Sequence, residues 1–284
     1  MTVQFTKVTH KVIDKDGWSL WMPQRCIAEL VNFEAPDIYA ESATQKYPLG
    51  AKLEFADGRL FRYGKHGATV TTGAGLSPIG RFVANGNLIG GSAATYGYEG
   101  SLDATSDVAV GTTTLIMNDT TDRIENHYED GILVTFPSGH YVAYRIAGNE
   151  VATSVDDVTI YLSDPNGLQT ACVVNSTGVT AYPSMFSNMM NPTDTDNGST
   201  YAPCVGMSLS NAYTASYFSW VQRRGQCWVT PTAYYGDGAS ERLGQMHGDG
   251  TSALRTSYTS QIIGYLSQMT VSGYGDGMVW LTLE

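Results

Sequence analysis

Apolar and polar positions alternate with a period of two in short runs, and turn dipeptides separate the runs. Asp-Gly stands at 16–17, 57–58, 130–131, 237–238, 249–250 and 276–277, and Asn-Gly at 85–86, 166–167 and 197–198. Both tolerate positive φ and suit hairpin turns. Between them, runs rich in Val, Ile, Thr, Tyr, Phe and Trp predict strands over 52–56, 59–63, 108–117, 131–136, 140–146, 157–162, 170–174, 217–222, 226–230 and 278–283. The plainest hairpin runs from Ile132 to Phe136, turns at 137–139 and returns over 140–146, with Ile132, Val134 and Phe136 sharing a face. Helix is scarce. Two short candidates, 38–46 and 184–190, end before Pro48 and Pro192, and neither sustains a 3.6-residue period.

The pattern predicts a mainly β protein with little helix. Residues 1–45 carry no clear period and read as an extended N-terminal arm. Residues 46–105 hold a short β-hairpin and a Gly-rich crossing segment between Gly73 and Gly100. Residues 106–284 read as the body, a β-sandwich or barrel. Composition agrees: of 284 residues 31 are Gly, and charged residues make up only 15%, against a usual share of about 25%.

The net charge is −11, which disfavours nucleic acid and anionic membrane as partners. The charge is uneven. Residues 1–81 hold ten basic and eight acidic residues, a balance of +2, and the remainder carries −13. All six Lys lie at or before Lys65. The first residues lack an apolar signal core, so secretion is not expected. Cys26, Cys172, Cys204 and Cys227 are widely spaced and read as free buried thiols.

The usual catalytic constellations are missing from the sequence. There is no nucleophile elbow, no zinc spacing among His10, His66, His127, His140 and His247, and no phosphate-binding loop. The segment 194–198 (Asp-Thr-Asp-Asn-Gly) departs from a calcium loop, with Ser199 and Val205 where Gly and Glu belong. Asp122, Glu125, Glu129 and Asp130 read as a solvated acidic edge rather than a glycosidase pair. No catalytic residue, cofactor or metal is expected.

Two segments are more specific. Gln45-Lys-Tyr-Pro-Leu-Gly50 precedes Phe55-Ala-Asp-Gly-Arg-Leu-Phe-Arg-Tyr-Gly64, and Ala215 to Val229 reads Ala-Ser-Tyr-Phe-Ser-Trp-Val-Gln-Arg-Arg-Gly-Gln-Cys-Trp-Val. Together with weaker echoes at 144–149, 158–165, 263–266 and 279–283, this order resembles the capsid decoration (cement) and related head proteins of tailed bacteriophages. The resemblance spans about 45–284. It implies a non-enzymatic, β-rich virion protein, made in the host cytoplasm. Such a protein binds the major capsid protein on the outer capsid surface, commonly as a homotrimer. A tail or baseplate protein that binds a receptor or glycan is the alternative, and a β-rich hydrolase the third reading.

On this reading Tyr47, Pro48, Leu49, Gly50, Arg59, Phe61, Arg62 and Tyr63 are the candidate capsid or subunit interface, because an isolated hairpin needs a partner. Tyr217, Trp220, Gln222, Gly225 and Trp228 are expected in a core hairpin, with its turn at 223–225. The less acidic residues 1–65 are expected to supply the anchor.

Overall fold

The structure is a computed structural model. It describes residues 10–15, 17–23, 36–67, 80–86, 98–101, 107–117, 122–137, 141–153, 157–174, 176–190, 203–210, 213–230, 243–246, 250–254, 261–268 and 277–284. These residues form strands, turns and loops, with no α-helix among them. The chain divides into two compact units, residues 1–90 with 188–284, and residues 91–187. The expected body over 106–284 is therefore shared between the two units rather than being one.

The first unit contains β1 (His10–Lys15), β2 (Trp18–Pro23), β3 (Lys52–Phe55), β4 (Leu60–Lys65), β5 (Phe82–Asn85), β12 (Met189–Met190), β13 (Cys204–Ser208), β14 (Phe218–Val229), β15 (Leu243–Met246), β16 (Ser252–Leu254), β17 (Ile262–Gln268) and β18 (Gly277–Thr282). They make one sheet in the order β1-β2-β3-β4-β14-β18-β17-β15-β16, with β13, β5 and β12 on a side branch. The twelve-residue β14 is its centre. One edge pairs with β4. The other is shared, by β13 at Val221–Gln222 and by β18 from Arg224 to Val229.

The sheet forks there, and the two branches enclose a common core. Phe82, Cys204 and Met207 from one branch pack with Cys227, Val229, Ile263, Leu266, Val279 and Leu281 from the other. The arrangement is sandwich-like. A backbone bond ties the branches together, with Phe82 N donating to Gly250 O at 2.7 Å.

Gly225 makes this geometry possible. The sequence reads as two strands with a turn at 223–225, but the chain continues as one strand with a register shift against β4 between Gln222 and Arg224. Gly225 has φ +91, and a Cβ there would lie 2.9 Å from Arg59 Cα. A left-handed glycine inside a strand makes a bulge and bends the strand instead of reversing it.

Three further expectations are corrected in this unit. β1 and β2 pair as a hairpin, with Gly17 at φ +87, and β2 extends the sheet by pairing with β3. That stretch is not an extended arm, because Trp18 and Leu20 alternate with polar Ser19 and are buried. Residues 38–46 turn without forming a helix; the Asp37 carboxylate accepts from Tyr39 N at 2.9 Å, and Ser42 bridges to Phe218. The Gly-rich crossing contains β5, all four residues of which are buried; 73–79 and 87–97 lie outside the described residues.

The second unit holds β6 (Tyr98–Ser101), β7 (Thr114–Met117), β8 (Ile132–Phe136), β9 (Val142–Asn149), β10 (Val158–Leu162) and β11 (Gly178–Tyr182). They form an antiparallel sheet ordered β6-β11-β8-β9-β10-β7. One face carries Leu115, Met117, Leu133, Tyr144, Ile146, Val158, Ile160, Leu162, Val179 and Ala181, covered by Tyr128, Leu168 and Cys172 from loops. Ile132 and Phe136 lie on the opposite face, 50% and 46% exposed, with Leu133 and Thr135 turned inward. The predicted strand over 170–174 is one of the covering loops, held by a bridge between Val108 and Cys172. The second helix candidate is a turn at 184–187 leading into β12.

Candidate functional site

The two segments that carry the resemblance lie 150 residues apart yet are adjacent strands. β4 pairs with β14 in register, Tyr63 opposite Trp220 and Phe61 opposite Gln222. The hairpin before β4 closes as Asp57-Gly58 predicts. Phe55 N donates to Arg59 O at 2.9 Å, Gly58 takes φ +86, and the Asp57 carboxylate accepts from Arg59 N at 3.0 Å. The partner this hairpin needs is the chain's own β14.

The Tyr47–Gly50 turn seals that pairing. Gly50 takes φ +77 and donates to Tyr63 O at 2.7 Å, and the Tyr63 hydroxyl accepts from Lys46 N at 3.2 Å. Tyr47, Tyr63 and Trp220 meet in a triangle with ring centroids 5.1–5.2 Å apart, and Tyr63 stacks on Phe218 at 6.0 Å. Edge-to-face and offset contacts of this kind add to the burial of the rings. Desolvation pushes the Tyr63 hydroxyl up to about 12, so it stays a neutral hydrogen-bonding group. Pro48, Leu49, Phe61 and Tyr63 are buried within the unit. As folded they are core residues, which corrects their assignment to an outward interface. Tyr47, Gly50, Arg59 and Arg62 keep partial exposure.

Three cations of this segment, Lys52, Arg59 and Arg62, are paired within the chain. Arg59 pairs with Asp57 at 2.7 Å, and Lys52 with Glu54 at 2.7 Å; Glu54 also accepts from Arg224. Arg62 and Arg223 both reach Glu284, at 2.6 and 3.0 Å. Lys52 holds the Glu54 carboxyl below the usual range first, and Arg224 adds to this. Lys52, Arg59 and Arg62, three of the ten cations of residues 1–81, are therefore neutralised within the fold.

Of the expected core-hairpin residues, Trp220 and Gln222 are buried, and the Gln222 amide donates to Arg224 O at 3.1 Å and Gln226 O at 3.0 Å. Gly225 is buried at the bulge. Tyr217 is half-buried just before β14, and Trp228 points outward at 37% exposure. Trp228 is not core, because the alternation after Gly225 places Cys227 and Val229 inside instead.

A polar cluster that the sequence did not reveal lies beside β4. His66 is fully buried; its Nε2 is 2.7 Å from Ser219 Oγ and its ring stacks on Tyr213 at 3.9 Å. The Tyr213 hydroxyl pairs with Ser208 Oγ at 2.6 Å and accepts from Leu209 N and Ser210 N. The spacing resembles a nucleophile and base, but its environment opposes that use. Ser219 is 3% exposed, and desolvation pushes the His66 imidazole down to about 3. Its Nδ1 has no hydrogen-bond partner among the described residues, so no third group orients it. A base that weak takes little of a serine proton at neutral pH.

Among the described residues no group of three His, Cys, Asp or Glu side chains is placed to hold a metal ion; 194–198 lies outside them. Asp130, from the predicted acidic edge, is buried, and its carboxylate accepts from Arg145 at 3.1 Å, while Asp122 and Glu125 are exposed. Cys172, Cys204 and Cys227 are free and buried; Cys26 lies outside the described residues. Comparison of the chain with protein-family models, curated proteins and solved structures finds no match.

Proposed function

We propose that the chain is a non-enzymatic structural protein of a tailed-phage virion, which binds the outer surface of the capsid and stabilises it. Its partners are the major capsid protein and further copies of itself, as a homotrimer. The observation that carries this reading is the pairing of β4 with β14. The two distant segments that resemble decoration proteins are one structural element, so the resemblance follows a folded unit rather than scattered residues. The buried, neutral state of the His66–Ser219 pair supports a structural role for that cluster.

The test is to add purified protein to shells that lack it, sediment them, and heat them with and without the protein. Saturable co-sedimentation and a raised shell disruption temperature are expected, with trimers by analytical ultracentrifugation of the free or released protein. Recovery with purified tails instead of shells would replace this reading with that of a tail or baseplate component.

A further inference from the structure

We propose that the outward face of β14, β18 and β17 is a binding platform for a neutral polysaccharide. The inference does not depend on where in a virion the protein sits. Registers place the side chains. Gln226 lies opposite Trp280, and Trp280 opposite Tyr265, across three neighbouring strands. Trp228 stands two residues along from Gln226 on the same face. The inner faces of these strands hold Cys227, Val229, Val279 and Leu281 in the core, so the aromatic rings are not needed there.

The Tyr265 and Trp280 rings are nearly parallel, at 15°, with centroids 6.5 Å apart. At that centroid separation the rings are offset and overlap only in part, which leaves ring surface open to a ligand. Tyr265 stays 44% exposed and Trp228 37%. Trp280, between them, is half-buried, and a contiguous exposed apolar patch of this kind marks an interaction site.

Charge selects the occupant. Along the outward rows of β14, β18 and β17 the one charged side chain is Arg224, and it is committed to Glu54. Aromatic platforms that stack nucleobases sit in cationic grooves that track the phosphates, and the described residues of these three strands form no such groove. An anionic glycan would lack a counter-charge in the same way. A neutral sugar chain fits: its C–H faces lie on the π-faces, and its hydroxyls meet the exposed Gln226 amide. Trp228 ring atoms lie where a Cβ on Gly80 would stand, 2.4 Å from that position. Gly80 thereby lets the indole lie close against the sheet, which fixes the ring before a ligand arrives.

The experiment is affinity electrophoresis of the full chain in gels containing dextran, hydroxyethyl cellulose or galactomannan, with tryptophan fluorescence as a second readout. Retardation by at least one of the three is expected. The Trp280→Ala/Tyr265→Ala variant should bind at least tenfold more weakly, while Tyr182→Ala, an exposed aromatic of the second unit, should bind as the parent does. Should the double variant lose its fold, Gln226→Glu places a charge in the middle of the platform at an exposed position, and should weaken binding similarly. Absence of retardation in all three gels, or retardation unchanged by these substitutions, overturns the proposal. So does a self-association that the same substitutions abolish, since that assigns the face to a second copy.

Discussion

Acidification should destabilise the first unit through His66. The imidazole is held neutral at about 3 in the fold, against about 6.5 in an unfolded chain. Between those values the unfolded state binds a proton that the folded state refuses, so stability falls as pH falls through that window. The full loss is reached only near pH 3. Each pH unit is worth about 1.4 kcal/mol, so moving from pH 7.5 to pH 5.0 costs about 2 kcal/mol through this one residue. All five tryptophans (Trp18, Trp21, Trp220, Trp228 and Trp280) belong to the first unit, so intrinsic fluorescence during urea unfolding reads that unit alone. Carboxylates titrate in the same range, and comparison with His66→Gln removes their contribution. The parent should lose about 2 kcal/mol more than the variant between pH 7.5 and 5.0. Equal losses would show that His66 is not a buried neutral group, and the account of the Ser219–Tyr213 cluster would go with it.

Gly225→Ala should cost about 2 kcal/mol or more in the same urea assay, because φ +91 and the 2.9 Å approach to Arg59 Cα both oppose a Cβ; a loss below 0.5 kcal/mol would mean that the strand bends without the bulge. In a Cys26→Ser background the native protein should show no fast reaction with a thiol reagent, since burial raises Cys172, pushes Cys204 up to about 12 and lifts Cys227 still further; one rapidly labelled thiol would contradict their burial. Replacing residues 88–187 by a short Gly/Ser linker should leave the first unit folded. Gly86 N donates to Asn188 O at 2.7 Å, and β5 pairs with β12, so the cut ends are already adjacent. A fluorescence spectrum and urea midpoint close to the parent's are expected, and an unfolded product would show that the first unit depends on the second.

The β class was legible because alternation and Asp-Gly turns are local signals. The strands at 52–55, 132–136, 158–162 and 277–282 lie where the pattern places them. The misses have physical causes. β5 and β13 are buried throughout, so Phe82-Val-Ala-Asn85 and Cys204-Val-Gly-Met-Ser208 show no alternation to detect. Gly225 signals a turn equally well whether the strand reverses or bulges, and only the β4 and β18 partners decide between them. The candidate interface was read from a hairpin that lacked a visible partner, but the partner lies 150 residues downstream. His66 and Ser219 meet for the same reason: the register that pairs Phe218 with Lys65 and Ser219 with Gly64 leaves His66, just past β4, diagonally across from Ser219 on one face.

The same long-range topology reassigns the charge. Divided at residue 81, the chain has a near-neutral start and an acidic remainder. Divided into its two units, the first holds fourteen basic and fifteen acidic residues, a net −1, and the second two basic and twelve acidic, a net −10. Almost all of the −11 therefore belongs to the segment 91–187, which leaves and re-enters the first unit at the paired strands β5 and β12. Residues 1–65 are thus not set apart from their own unit by charge: that unit is near-neutral as a whole, Lys52, Arg59 and Arg62 are paired within the fold, and the hairpin is the inner neighbour of β14. The electrostatic distinction lies between a near-neutral unit, where an uncharged partner meets little repulsion, and an acidic inserted unit that repels like-charged surfaces beyond contact range only at low salt. Raising salt should therefore change any association made through the second unit much more than one made through the aromatic face of the first.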